Sequence, residues 1–397
     1  MSSPLYLDNA ATSSPKAPAM RSAILRYLDD VAASAGRGAY REAAIAGEIL
    51  EDCRSALARL LGAPIPERIV FTLNCTDALN LGLKGVLREG DHVVTTWMDH
   101  NSILRPLSHL EASGFVTVTR VRADRDGIVD PDDIAHAFTP KTRLVATLHA
   151  SNVSGSVQDI AAIGAACRER GALFLVDAAQ TAGALPIDVG TLPIDLLAFP
   201  GHKALLGPLG TGALWMSDRV DVAPLREGGT GSRSELAVQP GFLPDRLESG
   251  SHNLVGIAGL LASVEFVLEQ GVDAIAAHER GLCERFAARA KAVPGVTIHG
   301  PLDPGRRVPV FSITVDGYDP LELGAHLDAA YGIKVRSGLH CAPLAHQTLG
   351  THDTGTTRIS AGCFTTLEDV DRAIDAVEEA VTSRGTSDRR CPAAPST

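Results

Sequence analysis

The sequence predicts an α/β protein, with a large, doubly wound, mostly parallel seven-stranded sheet domain followed by a smaller α+β domain. Three observations carry this expectation. Short β-branched runs alternate with stretches of helical apolar spacing, the pattern of a parallel sheet covered on both faces. Seven such runs fall between residues 68 and 216. The chain of 397 residues is long enough for two or three domains at roughly 150 residues each.

The elements follow in order. Residues 1–16 read as an N-terminal segment, and residues 17–65 as a unit with helices near 17–33 and 42–61 that are expected to pack with the small domain. Residues 66–253 form the large domain, with strands at 68–72, 92–97, 115–121, 143–148, 172–176, 195–199 and 212–216. Residues 254–293 read as two connecting helices, 254–269 and, after Gly271, a second reaching 291. The small domain, 294–382, is expected to hold strands at 308–315, 333–336 and 357–360 and helices at 321–331 and 367–382. Residues 383–397, rich in Ser, Pro, Arg and Ala, read as a disordered tail.

Composition narrows the function. Charged residues make up 21% of the chain and the net charge is −11, with no basic block, so a general grip on nucleic acid is not expected. The longest apolar run, 254–264, is too short to span a bilayer, and the first residues lack a cationic-then-apolar leader. A cytoplasmic protein is the expectation. The cysteines number seven, without a CxxC pair, so any important one should be a free thiol.

Chemistry gathers at strand ends, where open α/β sheets place ligands. The stretch from Phe71 to Ala78 reads as a strand stopping and a helix starting, with unpaired N–H groups able to bind phosphate. Asn74 and Asp77 stand at capping-box spacing, so alone this is equally an ordinary capped helix. Further on, Asp177 ends one apolar run, and Lys203 follows another in a glycine-rich turn. A carboxylate there has a reason to exist if it keeps a pyridine nitrogen protonated so that the ring absorbs electrons. Among the six lysines, only Lys203 sits in such a turn after a buried strand.

The motifs YLDNAATS, FTLNCTDALNLGLKG, DHNSILRP, HASNVSG, LVDAAQTAG, FPGHKALLGPLGTG, ESGSHN, RSGLHCAPLAH and GTTRISAG occur in this order. Together they resemble the pyridoxal-phosphate enzymes of the class V aminotransferase group (fold type I), in its cysteine desulfurase and selenocysteine lyase branch. The short segment from Cys341 to Arg358 is similar to the subgroup with a rigid cysteine loop. The resemblance implies pyridoxal 5'-phosphate as cofactor, with Lys203 as its Schiff-base lysine, Asp177 as the pyridine-nitrogen partner and Gln180 as donor to the ring oxygen. It further implies that His100 stacks on the ring, that Cys75, Thr76 and His202 hold the phosphate, and that Asn152 lies near substrate and ring. The branch is dimeric with sites at the interface, which implies roles for Ser251 and Arg37 toward the neighbouring subunit's cofactor or substrate. Two departures stand out: Pro200 where relatives often carry a hydroxyl residue, and Gly36 where histidine is frequent.

The substrate end decides the reaction. Arg358, in an expected strand, could clamp an α-carboxylate through two parallel N–H···O bonds, or form a structural ion pair instead. Arg336 is a second candidate for the substrate. Cys341 stands in a loop next to His340 and near Arg336, surroundings that favour thiolate. The spacing of His340, Cys341, His346 and His352 matches no established zinc pattern, and no metal is expected. The expected activity is desulfuration of L-cysteine to L-alanine, with Lys203 moving the Cα proton and Cys341 taking the sulfur as a persulfide for an acceptor protein. L-selenocysteine is the close competitor as substrate, because a selenol leaves more easily. An aminotransferase, epimerase or other lyase of the same group would need no thiol in this loop, and a non-enzymatic docking scaffold would need none of the catalytic residues.

Overall fold

The computed structural model describes residues 3–36 and 38–387. The chain opens with β1 (Leu5–Tyr6), α1 (Met20–Arg26) and α2 (Arg41–Leu61). The large domain then runs β2 (Ile69–Thr72), α3 (Cys75–Val86), β3 (Asp91–Thr96), α4 (Asn101–Ala112), β4 (Val116–Val121), α5 (Pro131–His136), β5 (Thr142–Leu148), α6 (Ile160–Glu169), β6 (Leu173–Asp177), β7 (Leu196–Pro200) and β8 (Gly212–Met216). Its sheet has seven strands in the order β2-β8-β7-β6-β5-β3-β4, and only β8 runs against the rest. Burial on both faces accounts for the near-continuous apolar runs of β6, β7 and β8, whereas edge strand β4, partly exposed, alternates. One face packs on α3 and α4 through Leu79, Leu83, Ile103 and Leu107, and the other on α2, α6 and α7 through Leu57, Ile163 and Ile257.

Two helices, α7 (Leu254–Gln270) and α8 (Val272–Ala290), lead to the small domain, meeting at Gly271 with a bend of 78°. Among the described residues no single helix is long and apolar enough to cross a membrane; this bent pair passes that test only when taken together. The small domain holds β9 (Val296–His299), β10 (Val310–Val315), α9 (Pro320–Tyr331), β11 (Ile333–Lys334), β12 (Arg336–Gly338), α10 (Pro343–Leu349), β13 (Thr356–Ser360) and α11 (Leu367–Ser387). Its antiparallel sheet runs β12-β13-β10-β9, while β11 pairs with β1 instead.

Three expectations change. The helices of the 17–65 unit pack chiefly on α7, whose apolar surface extends round the helix and needs a lid on its outer side, and meet the small domain only at the edge, where Met20 and Leu60 share a cluster with Cys363. It is the preceding segment that reaches the small domain, with Leu5 and Leu7 in its core. The single strand expected at 333–336 is two short strands in different sheets. The last helix continues to Ser387, past the expected start of the tail; residues 388–397 lie outside the described residues.

Candidate active site

Between β3 and β5 the order of the chain across the sheet reverses, and a cleft opens at the carboxyl ends of the strands, as the topology requires. Successive strands deliver His100 after β3, Asn152 after β5, Asp177 at the end of β6 and Lys203 after β7. Cys75 and Thr76 arrive from the start of α3, and Arg336, Cys341 and Arg358 from the small domain. All of these line one cavity.

Lys203 sits partly buried in this cavity, and among the described residues no hydrogen bond or ion pair engages its amine. Burial lowers its pKa, against the pull of Asp177. Asp177 is buried and accepts from the Ala179 N–H at 2.9 Å and from the Cys75 thiol at 3.4 Å. Burial, and then Asp177, push that thiol well above the ordinary cysteine range, so Cys75 serves here as a neutral donor. The N-terminus of α3 is capped by Asn74, whose Oδ1 accepts from Asp77 N at 2.9 Å, while Asp77 Oδ2 accepts from Leu73 N at 3.1 Å. This cap engages the Asp77 N–H and leaves those of Cys75 and Thr76, residues that line the cleft, at the helix start.

His100 caps α4: its Nδ1 accepts from Ser102 N at 3.1 Å, and the Ser102 hydroxyl lies 2.9 Å from the same nitrogen and 2.8 Å from Thr76 Oγ1. Burial brings the His100 pKa down to about 4, so the ring is neutral. Four polar atoms on the cavity's side chains are buried without a partner among the described residues: Asn152 Oδ1, His202 Nδ1, His340 Nδ1 and Arg358 Nε. Gln180 donates to the Ala10 carbonyl at 3.1 Å.

The small domain contributes an arginine pair. In the β12–β13 register Arg336 stands directly opposite Arg358, placing two like charges on one face. Such a pair calls for an anion, and Asp8 supplies one: Arg358 Nη2 lies 2.6 Å from Asp8 Oδ1, while Nη1 donates to the Asn152 carbonyl at 3.1 Å. Arg358 is thus held by the ion pair that the sequence left open as an alternative, and it still borders the cavity. Cys341 is exposed at the rim in a four-residue connection between β12 and α10. Both His340 (φ 47°) and Cys341 (φ 59°) adopt the left-handed conformation, costly for side-chain-bearing residues. The connection is pinned by Asn152 Nδ2 donating to the His340 carbonyl at 2.7 Å and Asn101 N to the Cys341 carbonyl at 2.9 Å.

Not every candidate meets here. Ser251 lines a second cleft with Glu248, His252 and Leu73, so within one chain it is separate from Lys203. Arg37 lies outside the described residues. Among the described residues no three His, Cys, Asp or Glu side chains group to hold a metal ion. Sequence reasoning overlooked Asp8, Ser102 and Lys16. The last of these donates to Thr12 Oγ1, Ser13 Oγ and the His202 carbonyl at 3.0, 3.0 and 2.8 Å.

The family model described as aminotransferase class-V matches residues 5–373. A probable cysteine desulfurase of Methanothermobacter thermautotrophicus is 37% identical over 383 residues, covering 94% of both chains. Among solved structures, the apo cysteine desulfurase of Thermococcus onnurineus superposes with a TM-score of 0.90 at 31% identity, over 96% of this chain and 95% of that one. The Escherichia coli cysteine desulfurase CsdA gives 0.85 at 27% identity, over 96% of this chain and 95% of its own.

Proposed function

The chain belongs to the class V aminotransferase family, and from that premise we propose that it is a pyridoxal 5'-phosphate-dependent cysteine desulfurase, converting L-cysteine to L-alanine and taking the sulfur onto Cys341. The observation that carries the reading is an exposed thiol on the rim of the cavity that holds Lys203 and the arginine pair. An enzyme that only exchanged amino groups would need no such thiol.

The residues fit the cofactor. The N–H groups at the start of α3, with Thr76 and the unpartnered His202 Nδ1, suit its phosphate; Asp177 suits a protonated pyridine nitrogen; Gln180 and the unpartnered Asn152 Oδ1 suit polar ring substituents; neutral His100 suits a ring face. When bound, the cofactor supplies a carbon that joins amines and a ring that absorbs the electron pair released at the substrate's Cα.

The chain's own side chains do the rest. Arg358, held in orientation by Asp8 and assisted by Arg336, receives the substrate carboxylate. Lys203, its amine favoured neutral by burial, takes the Cα proton. The Cys341 thiolate then attacks the substrate sulfur. An S–S bond forms as the Cβ–S bond breaks, a proton completes the methyl group of alanine, and the persulfide passes its outer sulfur to an acceptor thiol.

The family reading adds a second copy of the chain, supported by exposed Leu73, Leu225, Val238 and Phe242 on or near the segments that frame the Ser251 cleft. Ser251 and Arg37 would then serve the partner's site. The six described cysteines are all free, which suits the reducing cytoplasm.

The test supplies the purified enzyme with cofactor, L-cysteine and a thiol reductant. Alanine and sulfide in equal amounts are expected, with Cys341→Ala keeping the cofactor's visible absorbance and losing alanine formation. Pyruvate or inverted substrate as product contradicts the reading. Parallel assays with L-selenocysteine identify a selenocysteine lyase if that substrate alone turns over, or if it turns over undiminished in Cys341→Ala.

A further inference from the structure

In the Cys341 loop and on the adjoining α10, two buried imidazoles each leave one nitrogen without a partner among the described residues: Nδ1 of His340 and Nε2 of His346. Their other nitrogens are engaged, His340 Nε2 with Thr356 Oγ1 at 3.2 Å and His346 Nδ1 with Thr351 Oγ1 at 2.8 Å. The ring centroids lie 5.5 Å apart at an interplanar angle of 39°. Buried polar atoms are almost always paired, with protein or with ordered water, and two exceptions on neighbouring rings fit one shared water.

We propose that His340 and His346 are linked through these two nitrogens by one buried water, and that the link makes His346 a positioning residue for the Cys341 thiol. Burial holds both rings neutral, with pKa values brought down to about 2 for His340 and about 4 for His346. Each ring therefore has one N–H and one lone pair. Because hydroxyls donate or accept equally well, hydrogen bonds can run in one direction from Thr351 through both rings to Thr356. His340 and Cys341 occupy consecutive left-handed positions. Asn152 and Asn101 fix their carbonyls, and the ring link ties the His340 side chain to α10 on the other side. A non-glycine pair in this conformation persists only where its surroundings over-determine it. The link supplies the restraint that backbone contacts leave out.

This inference rests on the sulfur-transfer reading of Cys341, and the experiment separates the two. In a chain of imidazole mimics, Gln reproduces a ring's Nε2 and Asn its Nδ1. His346→Gln keeps the group that faces His340; His346→Asn keeps only the bond to Thr351. Alanine released in the first turnover of the holoenzyme is measured, together with the rate at which iodoacetamide alkylates Cys341 before substrate is added. His346→Gln is expected to match wild type, and His346→Asn and His346→Leu to form alanine about tenfold more slowly and to show altered alkylation. The cysteine-induced change in cofactor absorbance should be the same in all three. The reciprocal pair guards against a variant that fails to fold: His340→Asn should stay active and His340→Gln should be slow. Equal rates for the Gln and Asn variants at either position, both fast or both slow, overturn the link. First-turnover alanine from Cys341→Ala at the wild-type rate removes the underlying reading instead.

Discussion

Arg358 Nη2 lies 2.6 Å from Asp8 Oδ1, joining the last strand of the small domain to a residue from the start of the chain. The pair fixes a guanidinium that stands across from Arg336 in the sheet register. Lysine at 358 would retain an ion pair with Asp8 and lose the planar fork that suits a carboxylate. Arg358→Lys is therefore expected to raise KM for cysteine at least about tenfold with little change in Tm, whereas Arg358→Leu raises KM and also lowers Tm by leaving Asp8 unpaired. Steady-state kinetics and thermal melts check both; an unchanged KM in either variant contradicts the substrate role.

Lys16 acts one step from the chemistry. The His202 carbonyl accepts from Lys16 Nζ, from Thr12 Oγ1 at 3.0 Å and from Ser13 N at 3.0 Å, which anchors the peptide preceding Lys203. Lys16→Met is expected to lower kcat about tenfold with a smaller effect on KM, because Lys203 loses its fixed backbone while the arginine pair is untouched. Burial brings the Lys16 pKa down to about 8, and above that pH the neutral amine has two N–H groups for three acceptors. Wild-type kcat should fall above about pH 8 through this loss, and a pH–rate profile of Lys16→Met should lack that limb.

Much of the site was legible because its parts sit at strand ends, where a run of apolar residues stops on a polar one. Asp177 and Lys203 are of this kind, and the two-sided burial of β5, β6 and β7 made the runs before them easy to see. The Asn74–Asp77 cap was readable from its three-residue spacing. What escaped was non-local or short. The Asp8–Arg358 pair spans nearly the whole chain, and nothing in either neighbourhood announces the other. The two-residue strand β1 and the half-exposed β9 offer no clear period. Helical spacing showed that α2 has an apolar face, though not that α7 would be the surface covering it.

Glu279 on α8 is buried beside a second cavity that borders Lys203 and Cys363, and among the described residues no hydrogen bond or ion pair engages it. Burial raises its pKa to about 8 from the ordinary carboxylate value of 4.5. Because the folded pKa is the higher one, stability is full below pH 4.5 and is lost as the pH rises through about 8. Glu279→Gln cannot ionise, so it should become more stable than wild type over that window, by as much as ~5 kcal/mol at pH 9. Denaturant melts across pH 4 to 9 on the order of one-unit steps check this; parallel curves for the two proteins contradict it.

The central claim is that Lys203 carries the cofactor. Borohydride reduction of the enzyme loaded with pyridoxal 5'-phosphate, followed by peptide mass mapping, tests it most directly. The account predicts a phosphopyridoxyl label on the peptide containing Lys203, absent from Lys203→Ala; a label on another lysine, or on none, would contradict it.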